Sequence, residues 1–176
     1  MTEDAGSGRS ISDDASARPL RVLFVCTGNI CRSPTAEGVF RKLVNESGLA
    51  GRVEVDSAGT HGYHEGEPPT SQAVITAAQH GYDLSGLRAR RLEPSDCTGF
   101  DRILVMDRGH LNRVTERCAG AGAAKVRLFM EHAPSRPERE VPDPYGKAAR
   151  DYEYVLGLIE AAARGLLDDV RRELGA

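Results

Sequence analysis

A chain of 176 residues with 40% hydrophobic and 28% charged positions is long enough to bury a substantial core as one domain. Its net charge of -3 leaves no basic excess of the kind nucleic acid binding needs, and no apolar run approaches the roughly 20 residues of a membrane span. Neither nucleic acid nor a membrane is therefore expected as a partner. The cations are lopsided, 20 Arg against 3 Lys, which reads as codon bias in a GC-rich genome.

Residues 1–18, MTEDAGSGRSISDDASAR, are small, polar and slightly acidic, and predict a disordered tail ahead of a domain over 19–176. "LRVLFV" after Pro19 is a short continuous apolar run, the signature of a strand buried on both faces. Ala36, Val39, Phe40, Leu43 and Val44 then follow helical spacing, with Pro34 suited to the first turn. "RVEVDSAG" alternates and ends in turn residues, a second strand, and a helix is predicted over 71–80. "DRILVMD" and "KVRLFM" supply two further strands, with a helix over 108–118 between them. The segment "EHAPSRPEREVPDPYG" carries four prolines and reads as a long exposed loop. Last comes an apolar stripe of Tyr152, Val155, Leu156, Ile159, Ala163, Leu166, Leu167, Val170 and Leu174, a helix weakened locally by Gly157 and Gly165. Strands alternating with helices predict an α/β fold: a parallel four-stranded sheet with helices on both faces.

The cysteines at 26, 31, 97 and 118, with no secretory leader ahead of them, suggest a reducing, cytoplasmic setting. Their spacing gives no C-x-x-C pair and no histidine set, so neither metal nor cofactor is expected. Sulfur chemistry is what remains. Cys26 falls directly after the first strand, where an open parallel sheet binds its ligands. Between it and the helix starting near Ser33, Gly28 and Asn29 can adopt positive φ. The amides of such a loop converge into an anion-binding nest, reinforced by the helix dipole. Helix N-termini and cationic neighbours favour the thiolate, the nucleophilic form of cysteine. Arg32 returns to the mouth of the loop, and its planar fork matches two oxygens of a tetrahedral oxyanion. A nucleophile, a cradle of donors and a guanidinium together describe phosphoryl transfer.

"VCTGNICRSPTAEGVF" closely resembles the active-site loop and first helix of the low-molecular-weight protein tyrosine phosphatases of bacterial type. The likeness continues through "VDSAGTHGYHEGEPP", "GYDLSGLRARRL", "ILVMDRGHL" and "VPDPYG", covering nearly everything after the tail. It implies a single flavodoxin-like domain, expected to be a monomer, that hydrolyses phosphotyrosine in proteins through a phosphocysteine. By that resemblance Cys26 is the nucleophile, Arg32 binds phosphate and stabilises the transition state, and Asp143 is the general acid and base. Thr27, Gly28, Asn29, Ile30 and Cys31 form the substrate loop, and Tyr63 and Tyr145 wall a slot too deep for phosphoserine. Ser33 has two candidate jobs, capping the helix or hydrogen-bonding the sulfur, and the resemblance favours the sulfur. Asp107, at a strand end, can face the crevice or cap the next helix, with the cap preferred. Cys31 reads equally as a redox partner of Cys26 or as a small core residue; Cys97 and Cys118 read as structural. Leu87 stands where the family commonly has a histidine that holds the loop asparagine, so Asn29 is expected to rest on Ser57 and Ser33 instead.

Three rivals stand beside this reading. A thiol-linked arsenate reductase shares the fold but needs a closely spaced pair of resolving cysteines, and Cys118 lies 21 residues after Cys97. A protein arginine phosphatase typically has threonine where this chain has Ile30, whose apolar side chain suits an aromatic ring. A non-catalytic phospho-binding module would not need Cys26, Arg32 and Asp143 together.

Overall fold

The computed structural model describes residues 17–176; the tail assigned to 1–18 lies outside the described residues except for its last two. Of these, Arg18 is already tied to the domain through Asp101 (2.7 Å). The strands are β1 (Leu20–Cys26), β2 (Val53–Gly59), β3 (Arg102–Val105) and β4 (Val126–Leu128), and the helices are α1 (Arg32–Glu46), α2 (Ser71–Gln79), α3 (Asp96–Gly99), α4 (Arg108–Arg117) and α5 (Ala149–Leu174).

All three strand pairings are parallel, in the order β2-β1-β3-β4. The chain order therefore reverses between β1 and β3, and a crevice opens there beyond the carboxyl ends of both strands. Cys26 ends β1 and Met106 and Asp107 follow β3, so the topology itself brings these segments together.

β1 is buried on both sides. Val22 and Phe24 pack into the larger core with α1, α2 and α5, while Leu23 and Val25 face the smaller one with β3, α3 and α4. Phe24 meets Phe40 and Phe129 edge-on at 5.9 and 5.0 Å between ring centres. Such pairs add about 0.5–1.5 kcal/mol each beyond their buried area, and they stiffen the strand that carries the sulfur. Of the stripe foreseen on α5, Tyr152, Val155, Leu156, Ile159, Ala163, Leu166 and Val170 are buried, joined by Leu158 and Ala162, while Leu167 and Leu174 are only partly covered. Gly165 is required there rather than tolerated, because a Cβ would collide with the His132 carbonyl oxygen.

Two readings need correction and a third is made specific. "KVRLFM" is strand only as far as Leu128; Phe129 and Met130 turn into a short 3₁₀ helix while staying fully buried. The proline-rich loop is not wholly exposed: Val141 is buried, and its amide donates to the Met106 carbonyl (2.8 Å), pinning the loop to the end of β3. Finally, Cys97 and Cys118, read only as structural, are joined in a disulfide. The contact arises because α3, one turn of helix, sets Cys97 beside the C-cap of α4. Among the described residues no helix is long and apolar enough to cross a membrane.

Candidate active site

The loop from Cys26 to Arg32 is shaped by hydrogen bonds on its outside. The carbonyls of Cys26, Thr27 and Ile30 accept from the amides of Thr60 (2.8 Å), His61 (3.0 Å) and Thr70 (2.9 Å). A trans peptide whose C=O points outward must point the following N–H inward. This turns the amides of Gly28 and Cys31 inward, and among the described residues the amides of Gly28, Asn29, Ile30 and Cys31 have no acceptor in the protein. Inward amides with no partner make a cradle for an anion. The β2 end can come this close only because residue 59 is glycine: a Cβ there would sit 2.7 Å from the Thr27 carbonyl oxygen. Asn29 takes the left-handed conformation (φ 57°), whereas Gly28 does not.

Asn29 closes the loop from within. Its side-chain amide donates to Ser33 Oγ (2.8 Å) and Ser57 Oγ (2.9 Å), and its Oδ1 accepts from the Arg90 amide (3.0 Å). Ser57 in turn donates to the buried Glu37 (2.7 Å), whose carboxyl is pushed up by burial. The expected support from Ser57 and Ser33 is thus present, and the Arg90 backbone adds a third contact near Leu87, which packs against the core. Ser33 Oγ lies 3.0 Å from Cys26 Sγ. Since that oxygen already accepts from Asn29, its own proton goes to the sulfur or to the more distant Ala58 carbonyl (3.5 Å), and α1 has no side-chain cap. Of the two jobs open to Ser33, the geometry selects the sulfur.

Arg32 is almost fully buried. Its Nη1 is committed to Asp107 Oδ2 (2.9 Å) and the Val141 carbonyl (3.1 Å), which leaves Nε and Nη2 for two oxygens of a ligand. Asp143 Oδ2 stands 3.8 Å from Nη2, on a side chain 53% exposed. Its other oxygen accepts from the Tyr145 amide (3.1 Å), and Pro142 and Pro144 restrict the backbone on either side. Cys26, Thr27, Gly28, Ile30, Cys31, Arg32, Tyr63, His64, Asp143 and Tyr145 line one cavity of about 100 Å³. Larger clefts exist, one of about 450 Å³ beside Arg91 and Cys97, yet it offers no free thiol. Tyr63 and Tyr145 form the rim, with Tyr63 stacked on His61 at 5.0 Å. Cys31 Sγ faces Thr70 Oγ1 (3.5 Å) and Tyr152 OH (3.7 Å), and burial pushes its thiol pKa up. These contacts fit the core-residue reading, although both Cys26 and Cys31 are free.

Residues 21–176 match the family model described as low molecular weight phosphotyrosine protein phosphatase. The chain belongs to this family. It is 46% identical over 160 residues to a low molecular weight protein-tyrosine-phosphatase of Streptomyces coelicolor, covering 88% of this chain and 95% of that one. Among solved structures it is similar to YfkJ from Bacillus subtilis (TM-score 0.84, 32% identity, 89% of this chain and 98% of the other). It is also similar to a protein tyrosine phosphatase from Entamoeba histolytica with Hepes in the active site (TM-score 0.83, 33% identity, 89% and 98%).

The structure adds residues to this phosphatase site that sequence reading missed or undervalued. Asp107 does both of its candidate jobs: Oδ1 caps α4 by accepting from the His110 amide (2.9 Å) while Oδ2 holds Arg32. Burial favours its protonation, but the His110 amide and the neighbouring charges outweigh that and hold the carboxyl below its ordinary range. His110 reaches Thr27 Oγ1 with its Nε2 (2.8 Å), and His64 lines the slot, bonded to Glu67 (2.7 Å). The histidine in "MDRGHL", three residues after a strand-end Asp, was the available signal for the first. Nothing local marked the second.

Proposed function

We propose that this phosphatase removes phosphate from tyrosine-phosphorylated proteins through a covalent phosphocysteine on Cys26. The Cys26 thiolate attacks phosphorus, the bond to the phenolic oxygen breaks, and Asp143 gives its proton to the departing oxygen. In the second step the Asp143 carboxylate takes a proton from water, whose oxygen attacks phosphorus. The S–P bond then breaks, returning the thiolate and releasing inorganic phosphate. Arg32 and the loop amides hold the equatorial oxygens throughout. Tyr63 and Tyr145 flank the aromatic ring, whose length lets phosphorus reach a sulfur at the floor of the slot.

One observation carries the reading: a free thiol beside four amides without acceptors, with a buried guanidinium and a carboxylate across the mouth. No metal is needed for any step. The proposal places the protein in the cytoplasm as a monomer; reducing surroundings there keep the slot thiols free to act. The test is hydrolysis of a phosphotyrosyl peptide and of p-nitrophenyl phosphate in the presence of chelator. Turnover is expected for the wild type and none for Cys26→Ser. Turnover of phosphoarginine alone, or of arsenate with a thiol-recycling system alone, would replace this reading with one of its rivals.

A further inference from the structure

We infer that His110 is a positioning residue that couples the two halves of the oxyanion site, the Arg32 guanidinium and the amide loop, through Asp107 on one side and Thr27 on the other. This rests on the reading of Cys26 to Arg32 as a phosphate site. The imidazole is buried and sits in the first turn of α4. Its Nε2 lies 2.8 Å from Thr27 Oγ1. Its Nδ1 lies 3.2 Å from Asp107 Oδ1, too poorly aligned to count as a hydrogen bond. A ring proton beside a carboxylate is attracted and a bare lone pair there is repelled, so the proton belongs on Nδ1. Nε2 then accepts from the Thr27 hydroxyl. This relay requires a neutral ring, and burial together with the charge of Arg32 pushes the imidazole pKa down to about 4.

The consequence falls on Thr27, the residue between the nucleophile and the inward-facing amides. Its carbonyl is held by the His61 amide (3.0 Å) and its hydroxyl by His110, so the first peptide of the cradle is clamped from two sides. Asp107, oriented by the same turn of α4, fixes Nη1 of Arg32. His110 thus sets where the amides and the guanidinium lie relative to each other: its backbone amide holds Asp107 (2.9 Å) and its imidazole holds Thr27 (2.8 Å). Neither contact touches the reacting atoms, so the effect is on oxyanion geometry.

The test is calorimetric titration of the full chain with inorganic phosphate, alongside kcat and KM for p-nitrophenyl phosphate. Thr27→Val, nearly isosteric, and His110→Ala should each weaken phosphate binding about 5- to 10-fold, the value of one hydrogen bond. Both should lower kcat/KM by a similar factor. The double variant should be no worse than the poorer single one, and His110→Gln, whose amide can reach Thr27, should recover most of the loss. Wild-type phosphate affinity in Thr27→Val, full additivity in the double variant, or no recovery in His110→Gln would overturn the assignment. Because the titration needs no turnover, an inactive wild type would sink the functional reading while the phosphate affinities still decide this one.

Discussion

Ser33→Ala removes one oxygen from the centre of the site and separates the two chemical steps. Ser33 Oγ accepts from Asn29 (2.8 Å), which commits its proton either to Cys26 Sγ at 3.0 Å or to the Ala58 carbonyl at 3.5 Å. The shorter contact wins, and it is charge-assisted when the sulfur is the thiolate of the proposed mechanism. A hydrogen bond to an ionised group is worth about 1.5–3 kcal/mol, equivalent to roughly 10- to 150-fold in a rate. During attack the sulfur loses its charge and gives up this bond; during breakdown of the phosphocysteine it leaves as a thiolate and regains it. The loss therefore falls on the second step. Rapid-mixing experiments with p-nitrophenyl phosphate should show kcat reduced about 10- to 100-fold, with a burst of p-nitrophenol equal to the enzyme present. The fold should survive, since Asn29 keeps Ser57 and the Arg90 amide, with a stability loss of about 1 kcal/mol. A kcat within threefold of wild type, or a slow enzyme with no burst, would show that Ser33 does not support the departing sulfur.

Asp143→Ala should slow hydrolysis by about 10²- to 10⁴-fold for leaving groups of high pKa and far less for good ones; an equal effect across a series of aryl phosphates would remove Asp143 from its role. Replacing Cys97 and Cys118 together by Ser should cost about 3 kcal/mol in urea unfolding under oxidising conditions and nothing once reductant is present; a deficit that persists under reductant would mean the side chains matter through packing instead. His110 gives a stability signature on acidification. Its pKa lies at about 4 in the folded chain, held there by burial and Arg32, against 6.5 for a free imidazole. The unfolded chain therefore binds the extra proton first, and stability should fall as pH drops from about 6.5 to 4, by up to about 3 kcal/mol. His132, also lowered by burial, acts in the same direction, so the quantity to measure is the difference between wild type and His110→Gln. Parallel stability curves for the two proteins would contradict the assignment of a neutral, buried ring.

What was legible in the chain was local. The apolar run of β1 has no polar interruption to mislead, the stripe of α5 repeats long enough to fix its period, and the Cys26-to-Arg32 loop carries its chemistry within a few consecutive residues. The bounds of β4 were not legible, because Phe129 and Met130 remain fully buried after the strand ends and periodicity tracks burial, not hydrogen bonding. Tertiary coincidences stayed hidden for a different reason. The Cys97–Cys118 disulfide depends on a single turn of helix, and Gly165 looked like a weakness until the His132 carbonyl was found against it. Asp107 was weighed as a cap or a crevice residue, but a carboxylate has two oxygens, and only the position of Arg32 reveals that both are used. Asn29 lies between these cases: loss of the family histidine at Leu87 indicated which hydroxyls must hold it, yet the Arg90 amide could be found only in three dimensions.

The most direct measurement is rapid-quench mass spectrometry of the intact protein during turnover of a phosphotyrosyl peptide. A transient gain of one phosphoryl group is expected, mapped to Cys26, absent from Cys26→Ser and long-lived in Ser33→Ala. Full turnover with no phosphorylated protein, or with the group on any other residue, would contradict it.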